Sequence, residues 1–156
     1  TYAGLPCHIE IASEHRYRHR VVEEKTLFVA LSQSGETADT LAALRQAHHN
    51  GYFATLGICN VPESSLVREA DMVFLTRAGI EIGVAATKTF SAQLIALACL
   101  TLLLSHKQKN APSTQDDILK ALKHLPSEIN DLLRIEDQIE SLAATFQEKY
   151  LEQNLF

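Results

Sequence analysis

Six consecutive residues, Ser32-Gln33-Ser34-Gly35-Glu36-Thr37, bring three hydroxyls, an amide and one glycine together in a short stretch of chain. Hydroxyls and backbone N–H groups form a donor set that holds an anion without a side-chain cation, and the anion it suits best is a phosphate. The flanking residues strengthen this reading. Thr26 to Leu31 is a nearly unbroken apolar run, as in a parallel strand covered on both faces, while Ala38, Leu41, Ala42 and Leu44 begin a helical period that closes near Gly51. The six residues therefore fall at a strand-to-helix junction, where the positive end of the helix dipole meets the ligand. Glu36 is the misfit, because a carboxylate repels an anion. It is expected to face away and to stabilise the helix dipole.

The segment from Glu81 to Lys88 is a second candidate, since Gly79 and Gly83 permit sharp turns before a helix that starts near Val84 or Ala85. Other reactive side chains are less suggestive. The seven histidines show no metal spacing: His48 and His49 are adjacent on a helix, and His15 and His19 lack a third ligand, so a solvated charged face is their expected role and no metal site is expected. Glu10 and Glu14 are expected to form salt bridges with Arg16, Arg18 and Arg20 rather than an acid/base pair. Cys7, Cys59 and Cys99 are odd in number and widely spaced, which fits reduced core thiols.

The elements that must position these residues alternate. Cys7 to Ile11 predicts a short strand, Ser13 to Arg20 a short helix with Ser13 as its N-cap, and Thr26 to Leu31 a strand followed by a helix. Tyr52 to Cys59 predicts a strand, Pro62 or Ser64 to Ala70 a short helix, and Met72 to Thr76 a strand leading to a long helix that ends at Ser105. This rhythm implies a parallel α/β sheet with flanking helices. A polar linker, Lys107 to Pro112, precedes a purely helical region in which Ile118, Leu119, Leu122 and Leu125 start an apolar stripe that resumes after Pro126. With 156 residues, 46% hydrophobic content and a net charge of −5, the chain suits one ordinary domain and lacks a nucleic-acid footprint. The longest apolar stretch, Leu94 to Leu104, is too short to cross a bilayer, so a soluble, cytoplasmic protein with no membrane partner is expected.

Four segments in order carry a family likeness: Glu10-Ile11-Ala12-Ser13-Glu14, Ser32 to Leu41, Ile58-Cys59-Asn60-Val61-Pro62 with Ser64-Ser65-Leu66, and Glu81-Ile82-Gly83-Val84-Ala85 with Thr87-Lys88. Together they closely resemble the isomerase domain of glutamine–fructose-6-phosphate aminotransferase, a region of two sugar-isomerase (SIS) subdomains. The likeness extends over nearly the whole chain. It implies a flavodoxin-like parallel sheet of five strands in the order 2-1-3-4-5. Within that frame, residues 1–106 correspond to the first SIS subdomain lacking its first strand, and residues 107–156 to the helical linker toward a second.

The resemblance also implies roles. Ser32, Gln33, Ser34 and Thr37 would bind the phosphate of fructose 6-phosphate or glucosamine 6-phosphate. Glu81 and the backbone carbonyl of Val84 would lie by the sugar, with Ala86 standing where the family often has a serine. The family's imine lysine belongs to the far C-terminal tail, which makes Lys88 structural. The ring-opening histidine and the enolisation base come from the second subdomain. No catalytic residue, cofactor or metal is therefore expected in this chain, and the fragment would bind sugar phosphate without turning it over. A sugar-phosphate-sensing SIS regulatory module is the alternative. A missing first strand would leave apolar sheet edges, to be filled by direct pairing of its neighbours, by Asn154-Leu155-Phe156, or by a second copy; a homodimer is the expected outcome.

Overall fold

Three short apolar runs form the sheet at the centre of the chain: β1 (Leu27–Ser32), β2 (Ala54–Cys59) and β3 (Met72–Leu75), parallel and in the order β1-β2-β3. The computed structural model describes residues 2–18, 21–83, 85–106 and 115–150. Six helices accompany the strands: α1 (Ala12–His15), α2 (Ala38–His49), α3 (Ser65–Glu69), α4 (Lys88–His106), α5 (Gln115–Leu133) and α6 (Glu136–Tyr150). The chain divides into two compact units, Thr1–Pro112, which holds the sheet, and Ser113–Phe156, which holds α5 and α6.

β1 and β2 lack polar alternation because both of their faces are covered, whereas Met72, Val73 and Phe74 of β3 are exposed. On one face Ala30 and Cys59 pack with Leu41 and Leu44 of α2 and Leu66 of α3, and Phe28 joins them. On the other face Leu56 and Ile58 pack against Ala96 of α4, flanked by Val29 and Leu100. Once the residues before Leu94 are included, α4 has the length and apolar composition of a membrane-crossing helix; Ala96, Leu97 and Leu100 pack against the sheet, while Phe90, Leu94 and Leu103 are exposed. Register places Ser32 beside Cys59 and Cys59 beside Leu75, so the three strands end in line. At the opposite end, Thr55 donates its N–H and its hydroxyl to Asp71, both at 2.8 Å, joining the start of β2 to the turn before β3.

The N-terminal stretch differs from expectation. Cys7 to Ile11 forms no strand, and Ile9 and Ile11 are 92% and 73% exposed. An apolar run becomes a strand only where a neighbouring strand pairs with it, and none does so here. The sheet among the described residues thus has three strands rather than the four predicted from the sequence. The helix after this stretch shortens to α1, with Ile11 rather than Ser13 at the N-cap. His15, expected on a solvated face, is buried: its ring centroid lies 5.2 Å from that of Phe28, and Nδ1 is 3.0 Å from Glu10. Glu10 and Glu14 do meet Arg18, but Arg16 turns instead to Asp39 of α2 at 2.8 Å.

In the second unit α5 runs through Pro126 to Leu133. Leu132, Leu133, Ile139, Leu142 and Phe146 are exposed along the two helices, the apolar stripe anticipated from the sequence. The linker 107–112, the segment 154–156, and His19 and Arg20 lie outside the described residues.

Candidate phosphate and sugar site

The serine loop starts with the last residue of β1. Ser32 is buried, its Oγ accepting the Gly35 N–H at 3.0 Å and lying 3.3 Å from Thr37 Oγ1. Ser34 Oγ accepts the Glu36 N–H at 3.2 Å, so each serine braces the turn that follows it. Gly35 adopts φ +67°, and a Cβ there would come within 2.2 Å of Ser64 Oγ and 2.7 Å of Cys59 Sγ. Only glycine satisfies both the backbone and the space.

The loop is held from behind through its carbonyls. Gln33 accepts the Asn60 N–H at 3.2 Å and Gly35 accepts the Leu66 N–H at 3.0 Å, while the Cys59 thiol lies 3.6 Å from the Gln33 carbonyl. Thr37, at the N-cap of α2, makes no side-chain capping bond. The first turn of a helix carries N–H groups without intrahelical partners, so this end of α2 presents donors beside three hydroxyls. Such an arrangement can hold a dianion.

Glu36 points away, as expected, but toward a different helix. Its Oε1 accepts the Ser65 N–H at 2.7 Å, at the N-terminus of α3 rather than of α2. That backbone bond, reinforced by the Ser65 side chain, holds the carboxyl below the usual glutamate range. The charge of Glu36 is thereby held at the end of α3.

Beyond the aligned ends of the strands lies a cleft of about 620 Å³. Its polar lining consists of Gln33, Asn60, Arg77 and Glu81, and Val61, Pro62, Leu75 and Ile80 supply apolar wall. Open α/β sheets bind ligands at this edge, outside the carboxyl ends of the strands. Asn60 secures the far side: its Nδ2 donates to the Gly79 carbonyl at 2.7 Å, and its Oδ1 accepts from Thr76 Oγ1 at 3.1 Å and the Ala78 N–H at 2.8 Å. Glu81 folds back on the start of α4, accepting from Thr89 Oγ1 at 2.8 Å and from the N–H groups of Thr89 and Thr87, each at 3.2 Å. The Thr89 hydroxyl and then its N–H are the main causes that draw the Glu81 carboxyl below its ordinary value.

Of the residues singled out from sequence, Gln33 and Glu81 meet in this cleft, whereas Ser32, Ser34 and Thr37 belong to the adjoining loop. Val84 lies outside the described residues. Lys88 opens α4 at an exposed position. Asn60 and Arg77 were not identified as site residues from sequence. The signal for Asn60 was its place directly after an apolar strand, which register aligns with the serine loop.

The model of the SIS domain family matches residues 1–103. The chain belongs to the SIS domain family. It is 52% identical over 149 residues to the glutamine–fructose-6-phosphate aminotransferases of Pseudomonas syringae pv. tomato and Haemophilus influenzae, an overlap of 95% of this chain and 24% of each relative. The chain thus spans about a quarter of the length of the relatives it matches. Among solved structures, the C-terminal domain of glucosamine-fructose-6-phosphate aminotransferase from Francisella tularensis superposes with a TM-score of 0.81 at 48% identity, covering 95% of this chain and 42% of that one. A glucosamine-6-phosphate deaminase from Thermotoga maritima shares the fold at 23% identity and a TM-score of 0.59, covering 74% of this chain and 34% of that one. The SIS-domain chain is therefore a close homologue of the isomerase domain of the aminotransferase, and the α/β fold expected from sequence is the one observed.

Proposed function

We propose that this SIS-domain chain binds the phosphate of fructose 6-phosphate or glucosamine 6-phosphate through Ser32, Gln33, Ser34 and Thr37. In this reading it forms the sugar-phosphate-binding part of an enzyme that converts fructose 6-phosphate and glutamine to glucosamine 6-phosphate and glutamate in the cytoplasm. The observation that carries the reading is the first turn of α2, which has no side-chain cap and stands beside three hydroxyls, while of the two carboxylates near it Glu36 is drawn off to α3 and Asp39 is paired with Arg16. Gln33 links the loop to the cleft, where Glu81 and the segment carrying Val84 would border the sugar.

Glu36 and Glu81 are both engaged by N–H donors that lower their proton affinity, which suits them poorly as general bases. This supports a division of labour in which residues 1–106 bind, residues 107–156 link, and the acid/base groups come from elsewhere in the enzyme. A homodimer is part of the same reading. The unpaired outer edge of β1 among the described residues, together with exposed Phe90, Leu94 and Leu103 on α4, favours association with a second copy, which light scattering would detect.

Titration of fructose 6-phosphate followed by NMR tests the site. Shifts should concentrate at residues 32–37, and fructose should leave them unmoved. Ser34→Ala should weaken binding by about 1 kcal/mol, the net worth of one hydrogen bond. Equal affinity for fructose and its phosphate would overturn the assignment.

A further inference from the structure

The cleft contains a cation that the serine loop does not use. Among the described residues, Arg16, Arg18, Arg45, Arg68 and Arg134 are each engaged by a carboxylate or by carbonyl and hydroxyl oxygens; Arg77 alone has no hydrogen-bond or ion-pair partner there. It nevertheless lines the cleft together with Gln33. The carboxylate that also lines the cleft, Glu81, is committed to Thr87 and Thr89. Asn60 is engaged by Thr76, Ala78 and Gly79, which fill its Oδ1 and one of its two amide N–H donors. Spare donors in the lining remain on Gln33, on one amide N–H of Asn60 and on Arg77, of which Arg77 carries the positive charge.

Arg77 is also held in place. Its backbone takes φ +52°, and the residues on both sides of it, Thr76 and Ala78, are tied to the buried Asn60. An arginine whose backbone is held at the cleft in a chain of net charge −5 contributes positive potential where an anionic ligand would bind.

We propose that Arg77 is a second recognition group for the sugar phosphate, pairing with its anionic end and sharpening the choice of phosphorylated over neutral sugar. The proposal rests on the phosphate reading of the serine loop. Neutral donors and a helix end orient the dianion but discriminate charge weakly, whereas a planar guanidinium offers two parallel N–H bonds to one phosphate. Because Arg77 is solvent-exposed, its contribution should be screened by salt.

The test is calorimetric titration of fructose 6-phosphate and of fructose into the wild-type chain, R77Q, R77K and S34A, at about 0.02 M and about 0.2 M salt. R77Q retains hydrogen-bond donors without the charge. It should bind fructose 6-phosphate about tenfold more weakly at low salt, with the gap narrowing at high salt. R77K should fall between, and melting temperatures should match wild type, separating a binding defect from a folding one. If S34A loses affinity while R77Q keeps wild-type affinity and salt dependence, the Arg77 proposal is overturned and the serine-loop reading stands. If the wild-type chain binds fructose and fructose 6-phosphate equally, both are overturned.

Discussion

Replacing Gly35 by alanine probes the join between the serine loop and the rest of the fold. At φ +67° an alanine is strained by about 1 kcal/mol relative to glycine. Its Cβ would also stand 2.2 Å from Ser64 Oγ, 2.6 Å from Ser64 Cβ and 2.7 Å from Cys59 Sγ. Both neighbours are fully buried, so neither can swing into solvent, and the added methyl must push α3 or the loop aside. Forced overpacking of this kind adds about 1–3 kcal/mol, giving about 2–4 kcal/mol in all. That is a large part of the stability of an ordinary domain. Urea denaturation measures it, and Gly51→Ala supplies the control: Gly51 has φ +81° but nothing within 4 Å of a Cβ, so only the strain of about 1 kcal/mol should appear. G35A should also abolish phosphate-dependent NMR shifts. Equal losses of stability at the two glycines would refute the idea that Gly35 is required by packing as well as by backbone geometry.

Two further changes test the scaffold of the cleft. Asn60→Ala removes the partner of the Ala78 N–H and the Gly79 carbonyl; it should destabilise the chain by about 1–3 kcal/mol, with faster hydrogen exchange at the Ala78 amide, and unchanged protection there would count against it. Asp71 is held below the usual aspartate value, first by the Thr55 N–H and then by its hydroxyl. A carboxyl whose folded pKa is depressed stabilises the fold above its unfolded value of about 4, and that contribution is lost as pH falls through the lower folded value. Asp71→Asn should therefore flatten the acid limb of a stability-versus-pH profile below about pH 4, and an unaltered slope would show that the pair with Thr55 carries no such linkage.

The parts of the fold that could be read from residues alone are those whose cause is local. The runs 26–31 and 54–59 are apolar on both faces because helices cover both faces, and this leaves a plain trace in the sequence; the run 72–75 has the same signature although Met72, Val73 and Phe74 are exposed. The position of the serine loop was legible for the same reason: hydroxyls and a glycine between such a strand and a helical period mark a strand-to-helix junction, and residues 33–37 do join β1 to α2. Cys7 to Ile11 carries a similar apolar signature, but a strand requires a partner beside it, and the sequence of the strand does not record whether that partner is present. The burial of His15 is also decided elsewhere, by Phe28 and Tyr52 rather than by its own charged neighbours.

Glu36 shows how far the chemistry of a site can be inferred before the fold is known. Repulsion from an anion dictates that its carboxylate must turn away, and the structure agrees. Where it turns is a different question. The nearest helix end in sequence is that of α2, yet the end it meets is that of α3, brought alongside because Gly35 lacks a side chain and lets Ser64 sit against the loop. Glu81 repeats the pattern on the other side of the cleft by capping α4. In both cases backbone N–H groups at a helix N-terminus engage the carboxylate, and Arg77 has no carboxylate partner among the described residues. The electrostatics of the cleft thus depend on two carboxylates whose partners lie across long-range contacts, and such contacts are what a linear reading of residue types does not contain.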